Sequence, residues 1–129
     1  MEKILIIVDM QNDFTNGALG NDECEAAVSK IAKLVENSTY DRVILTRDTH
    51  KENYLDTQEG KKLPVLHCFE NSDGWQIRYE IMDAVKSHYS KPEIINKTSF
   101  GSLYLGELLK EEYLLDQKNL EIDFVGVCT

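Results

Sequence analysis

The sequence is short of the residues that break or staple a chain. Two prolines, seven glycines and no low-complexity tract among 129 residues exclude the collagen-like class, which needs glycine at every third position, and the disordered class, whose chains cannot bury enough apolar surface to order themselves. Basic runs are missing too. Lys and Arg stand singly or in short pairs such as Lys61-Lys62, and 23 acidic against 14 basic side chains leave a net charge of -9. That balance repels phosphate backbones and anionic bilayers, so neither nucleic acid nor membrane is expected as a partner. No apolar stretch approaches the roughly 20 residues that span a bilayer, and Met1 to Asp9 carries no signal-type cleavage region. A cytoplasmic protein is expected. Cys24, Cys68 and Cys128 are odd in number and widely spaced, which suggests neither a disulfide framework nor a C-x-x-C metal site; reduced thiols fit the same compartment.

What remains is the composition of a folded domain. With 42% hydrophobic and 29% charged residues, a chain of this length buries roughly two-thirds of the surface its unfolded form exposes, so one domain over 1–129 is expected. Five short β-branched, apolar runs read as strands: Lys3 to Val8, Arg42 to Thr46, Leu63 to Leu66, Glu93 to Asn96 and Leu120 to Val127. Helical periodicity lies between most of them. Asp22 to Glu36 places Ala27, Ile31 and Leu34 on one face, with Asp22 and Glu25 resembling a capping box. Trp75 to His88 does the same through Ile77, Ile81 and Val85, and Ser102 to Leu115 through Leu105, Leu108 and Leu109. Alternating strands and helices predict an α/β fold, an open and mostly parallel sheet with helices on both faces in three α/β/α layers. Thr49 to Leu63 is polar, without a helical stripe and long for a connection, so it is expected to be a functional loop.

Ligands of open parallel sheets bind beyond the carboxyl ends of the strands, and each expected strand ends in a reactive or ligating side chain. The first ends in Asp9, the second in Asp48 followed by His50, the third in His67, the fourth in Lys97, the fifth in Cys128 and Thr129. One such residue alone would be an ordinary turn or cap; the agreement of five points to a catalytic or binding edge. Asp48, His50, Glu59 and His67 are ligand types suited to Zn²⁺, Fe²⁺ or Mn²⁺, although Glu59 in its polar stretch, taken alone, reads first as a solvated loop charge. Cys68 is the poorer candidate, since neighbours on a strand point to opposite faces. Asp9 and Lys97, arriving from strands expected to be adjacent, read either as a salt bridge or as a pair that activates a nucleophile, the carboxylate taking a proton beside the ammonium.

Taken together, Ile7-Val8-Asp9-Met10-Gln11-Asn12-Asp13-Phe14, Asp48-Thr49-His50, His67-Cys68, Lys97-Thr98-Ser99-Phe100 and Val125-Gly126-Val127-Cys128-Thr129 resemble the isochorismatase-like cysteine hydrolases, specifically their metal-dependent nicotinamidase branch. The resemblance runs the whole length. It implies Asp9 as general base and Lys97 as the cationic member of an Asp-Lys-Cys triad. Cys128 then falls at a position whose backbone N–H serves the oxyanion hole, while the nucleophilic cysteine is expected three residues beyond Thr129, the domain being cut after its fifth strand. It further implies Asp48, His50 and His67 as ligands of a divalent metal, zinc first and iron or manganese as alternatives. Glu59 takes the fourth place, where many relatives have His and some Glu. Phe14 and Phe100 become walls of the substrate pocket, and Pro64 stands where relatives often have an aromatic. The implied activity is hydrolysis of a small carboxamide, nicotinamide to nicotinate and ammonia, through a cysteine thioester in a homo-oligomer. Another small amide or ureido substrate, or an inactive metal-binding fragment, is the alternative. A phosphoacceptor receiver domain fits the length and acidity but requires an Asp where His67 stands and a Lys where Cys128 stands.

Overall fold

The structure, a computed structural model, describes residues 2–89, 92–98, 106–107, 110 and 119–126. Four strands, β1 (Glu2–Val8), β2 (Arg42–Asp48), β3 (Glu93–Lys97) and β4 (Leu120–Gly126), form one sheet in the order β3-β2-β1-β4. Every pairing is parallel, with Ile4 opposite Arg42 and Ile122, and Asp48 opposite Lys97. The α/β expectation is therefore met. Parallel pairing aligns the strand ends, so Asp9, Asp48 and Lys97 emerge on the same edge.

From Ile4 to Val8, β1 is an unbroken apolar run because both of its faces are covered there. A single helical turn, α1 (Asn12–Thr15), follows β1, and Leu5 and Ile7 pack with Val43 and Leu45 against α2 (Asp22–Asn37) and α4 (Tyr79–His88), whose Val28, Ile31, Val35, Ile81 and Val85 fill the space between sheet and helices. Ile4 and Ile6 point to the other face and join Ile44 and Ile95 in a second cluster. Each such aliphatic side chain contributes about 1.5–3 kcal/mol on burial. Gly126 closes β4 against β1. Its φ is 154°, and a Cβ there would lie 2.3 Å from the Val8 carbonyl oxygen, so the two backbones meet closely just before Asp9. No helix among the described residues is long and apolar enough to cross a membrane.

Several local expectations are corrected. Leu63 to Leu66 is not a strand. Pro64 has no N–H to give a ladder, the Val65 N–H turns back to the Leu63 carbonyl, and Leu66 is exposed; the nearest pairing is a single parallel bridge between His50 and Phe69. His67 thus arrives on a loop, not at a strand end. The loop expected over Thr49 to Leu63 is ordered into a 3₁₀ turn (Tyr54–Asp56) and a short helix, α3 (Gln58–Lys62). The Thr57 hydroxyl caps α3 by accepting from the Gly60 N–H.

At α2 the cap is Asn21, whose side chain accepts from the Cys24 N–H at 2.9 Å. The capping box of Asp22 and Glu25 does not form, because Glu25 is taken by Arg78, which also binds Glu80 and the Thr15 hydroxyl. The buried stripe centres on Val28, Ile31 and Val35, with Ala27 and Leu34 on its flank. α4 begins at Tyr79 rather than Trp75, since residues 75–78 are drawn into hydrogen bonds with the chain after β1, among them Arg78 N–H to Met10 O and Asn12 N–H to Gln76 O. The helix expected over Ser102 to Leu115 lies largely outside the described residues.

Candidate functional site

Beyond Val8 the chain bends sharply. Asp9 takes φ 53°, a left-handed conformation that Asp tolerates better than most residues but that still carries a cost. Its N–H is held by the Thr46 carbonyl, and its Oδ1 accepts from the Thr46 hydroxyl at 2.8 Å. The other carboxylate oxygen, Oδ2, meets Lys97 Nζ at 2.7 Å. β2 lies between β1 and β3, so the expectation that Asp9 and Lys97 come from adjacent strands is wrong. The lysine spans the intervening strand and passes Asp48, whose Oδ1 is 3.6 Å from Nζ. Burial pushes the Asp9 carboxyl above its ordinary value, against the lowering influence of Lys97 and Thr46. A carboxyl held this way is suited to taking up a proton.

Asp48 faces two histidines with its remaining oxygen. Oδ2 lies 2.7 Å from His50 Nε2 and 3.6 Å from His67 Nε2. Burial alone would raise this carboxyl, but the facing His50 and His67 and the Lys97 charge hold it well below the usual carboxylate range. One ligand atom from each of Asp48, His50 and His67 lies within 4.8 Å of the others, and all three residues are buried. The His67 tautomer follows from its partner. Nδ1 sits 2.6 Å from the Val65 carbonyl, which can only accept, so Nδ1 carries a proton and Nε2 is the atom turned to the cluster, with a lone pair to offer a cation when the ring is neutral.

Two buried acceptors here have no hydrogen-bond partner, His67 Nε2 and Glu59 Oε1, and Asp48 Oδ1 has none beyond its 3.6 Å ion pair with Lys97. Leaving such atoms unsatisfied costs about 1–3 kcal/mol each, and a divalent cation is the species that would satisfy this donor set. Glu59 stands outside the tight trio but close enough for its charge to act on His67. It reaches this place because α3 packs against the 3₁₀ turn; a Cβ at Gly60 would lie 1.9 Å from the Tyr54 carbonyl oxygen. A cavity of about 650 Å³ opens beside the cluster, lined by Thr49, His50, Tyr54, Glu59, Lys62 and Thr98 among others.

The structure brings together Asp9, Lys97, Asp48, His50 and His67, with Glu59 at the margin. Phe14 is not among the described cavity-lining residues; it packs with Cys68 and Trp75 and backs His67, ring centroids 5.4 Å apart. Phe100 and Cys128 lie outside the described residues. Cys68 is turned away for a reason other than strand alternation. Its backbone has φ 48°, its N–H donates to Asp13 Oδ2 at 2.7 Å, and it is wholly buried.

Sequence reasoning missed two residues. Tyr54 sets its ring at a tilt against His50, centroids 4.3 Å apart, and edge-on to His67 at 5.2 Å, and a lone aromatic in an otherwise polar stretch was its signal. Gln11, fully buried, gripped the Asp48 backbone unseen: the side chain donates to Asp48 O and Trp75 O and accepts from Asp48 N–H, each at 2.8 Å.

Residues 3–129 match the Isochorismatase domain family. Over 118 residues the chain is 31% identical to the nicotinamidase of Saccharomyces cerevisiae. That match takes in 69% of this chain and 54% of the yeast protein, so it spans about half the length of the curated relative. Among solved structures, the nicotinamidase/pyrazinamidase of Bacillus subtilis is similar with a TM-score of 0.70 at 25% identity, covering 99% of this chain and 72% of that one. The pyrazinamidase of Pyrococcus horikoshii in complex with zinc is similar with a TM-score of 0.66 at 27% identity, covering 100% of this chain and 72% of that one.

Proposed function

The chain belongs to the isochorismatase domain family, and from that membership we propose that it is the catalytic framework of a hydrolase for small carboxamides, with nicotinamide the first substrate to test. The observation that carries the reading is Lys97 Nζ, 2.7 Å from Asp9 and 3.6 Å from Asp48, which joins a proton-accepting carboxyl to a buried ligand trio at one sheet edge. The similarity to the yeast and Bacillus nicotinamidases supports the substrate class.

In this reading Asp9 takes the thiol proton of a cysteine that the family pattern puts just beyond Thr129, and Lys97 holds the negative charge that develops. The thiolate forms a bond to the carboxamide carbon, backbone N–H groups stabilise the oxyanion, and the proton on Asp9 passes to the departing nitrogen so that ammonia leaves. Water then cleaves the thioester, giving the carboxylic acid and restoring the thiol. Asp48, His50 and His67, with Glu59 beside them, hold a divalent cation, zinc first; the zinc complex of the Pyrococcus relative supports this choice. When bound, the cation supplies a Lewis-acid contact that orients the substrate ring or a water. The rest of the positioning comes from the protein's own cavity.

The test is ammonia release from nicotinamide by the complete gene product, with and without chelator. Release that chelator abolishes and zinc restores is the expected result. A full-length product with no cysteine in the few positions after Thr129 would sink the thioester route. A second reading, another small amide or a ureido compound, is favoured by Pro64, which is exposed and stands where the resemblance leads one to expect an aromatic. Turnover of such a compound with nicotinamide left intact would select it.

A further inference from the structure

β1 ends at Val8, opposite Thr46, while β2 runs two residues further to Asp48. On its β3 side the extension is paired, with Asp48 in register with Lys97 and the Thr49 N–H donating to the Lys97 carbonyl at 2.7 Å. On its β1 side no strand remains, because Asp9 has turned the backbone away. The groups that would have paired there are the N–H and C=O of Asp48. A buried peptide group without partners is costly, and the chain fills the gap with a side chain whose carboxamide copies a peptide. The Gln11 amide accepts from the Asp48 N–H and donates to the Asp48 carbonyl, and its second N–H goes to Trp75 O.

We propose that Gln11 is a positioning residue, a side-chain replacement for the missing strand that fixes Asp48 in the orientation in which its carboxylate serves the cation and Lys97 at once. The proposal rests on the metal reading above. Its own ground is independent of that reading: both backbone hydrogen-bonding groups of one candidate ligand are held by a single buried amide, and that amide is itself anchored. The Gln11 N–H bonds to the Asp9 carbonyl at 2.8 Å, and Gln11 bridges Ile77 from the neighbouring turn. No other residue of the Asp48, His50, His67 trio is gripped by a side chain on both its N–H and C=O among the described residues. Asp48 would otherwise sit at the loose end of a strand, where a small rotation of its peptide moves the carboxylate away from His67. Groups that orient a ligand in this way commonly change metal affinity 10–100-fold when removed.

The experiment measures zinc and manganese binding by calorimetry on the complete gene product and on Gln11→Met and Gln11→Glu. The first variant keeps the length and apolar bulk but makes no hydrogen bonds; the second keeps the acceptor and loses both donors. Tyr40→Phe, which removes a hydrogen bond to Asp123 far along the sheet, is the control for general loss of stability. The expected result is a Kd raised 10–100-fold in both Gln11 variants, with near-UV dichroism of the folded protein retained, and an unchanged Kd in Tyr40→Phe. Unchanged affinity in folded Gln11 variants would overturn the positioning role while leaving the metal site standing. Loss of the fold in both would make Gln11 a core staple and overturn it likewise. A wild-type protein that binds neither ion would instead overturn the metal reading on which this one rests.

Discussion

Removing Lys97 tests the site as a buried charge system. Lys97 Nζ and Asp9 Oδ2 lie 2.7 Å apart, with both side chains only 5% exposed. Replacing Lys97 with Met leaves the Asp9 carboxylate buried beside Asp48 with its main compensating charge gone. Breaking a buried pair from one side costs about 3–5 kcal/mol, a large part of the 5–15 kcal/mol that stabilises a typical domain. The loss should also depend on pH, and its sign is opposite to that of an ordinary surface carboxylate. Burial already raises the Asp9 carboxyl in the folded state, and deleting the ammonium that opposes burial raises it further. A raised acid binds its proton more tightly when folded, so its penalty is absent below the unfolded value near 4, about the Asp reference, and grows as pH rises through the folded value. Urea unfolding of wild type and Lys97→Met at pH 4.5 and pH 7.5 reads this directly. The gap between the two proteins is expected to widen at the higher pH, and Asp9→Asn/Lys97→Met should recover part of it. A loss below 1 kcal/mol that does not change with pH would be the behaviour of an exposed ion pair and would refute the buried-pair argument.

Zinc at 100 times its Kd should stabilise the folded protein by about 2.7 kcal/mol, and His67→Ala should abolish the increment; a thermal shift that survives His67→Ala would place the ion elsewhere. Gly60→Ala should lower zinc affinity and stability together, since a methyl group 1.9 Å from the Tyr54 carbonyl must push α3 and its Glu59 away; calorimetry that finds both unchanged contradicts the packing. Ile81→Ala, at a fully buried site between α2, α4 and the sheet, should cost about 2–5 kcal/mol in denaturant unfolding without altering metal binding. Tyr40 should titrate late. Burial first, and then its hydrogen bond to Asp123, push its hydroxyl up to about 12. The stability this lends is present below the unfolded value near 10 and fades as pH climbs from there through the folded one. Ultraviolet titration should show the late tyrosine in wild type, and Asp123→Asn should bring it down.

Much of this fold was legible because the sheet is parallel and covered. A strand buried on both faces must be apolar at every position, so Ile4 to Ile7 and Val43 to Leu45 announced themselves, while the run from Leu120, partly exposed and carrying Glu121 and Asp123, showed by alternation; the carboxylates and histidine that follow the first two, and the lysine that ends β3, stood out by contrast. Leu63 to Leu66 shows where the same signal misleads. It is apolar, but Pro64 removes a ladder donor and nothing in the run reports that Leu66 is exposed. Strand order was equally hidden. Composition at the ends of β1 and β3 is the same whether the strands are neighbours or have β2 between them, so Asp9 and Lys97 could be paired by chemistry but not by topology. Gln11 was illegible for a third reason. A glutamine inside a polar motif reads as a surface residue, and only the early turn at Asp9 creates the unpaired peptide that it fills.

The intervening strand is what links the two halves of the site. Residues 46 and 48 of β2 share a face by the two-residue period of a strand, so Thr46 meets Asp9 while Asp48, two residues on, meets Lys97. Were β1 and β3 adjacent, a lysine at the end of β3 could reach Asp9 without passing any other carboxylate. With β2 between them, the ammonium must cross over Asp48, and the residue it crosses is also the one that faces His50 and His67. The Asp9–Lys97 pair and the Asp48–His50–His67 trio are therefore neither separate nor one cluster but two groups joined through a single carboxylate, one oxygen turned to each. That sharing explains why the orientation of Asp48 is secured from both sides, by the β3 ladder and by the Gln11 amide, when most strand-end residues are left to the solvent.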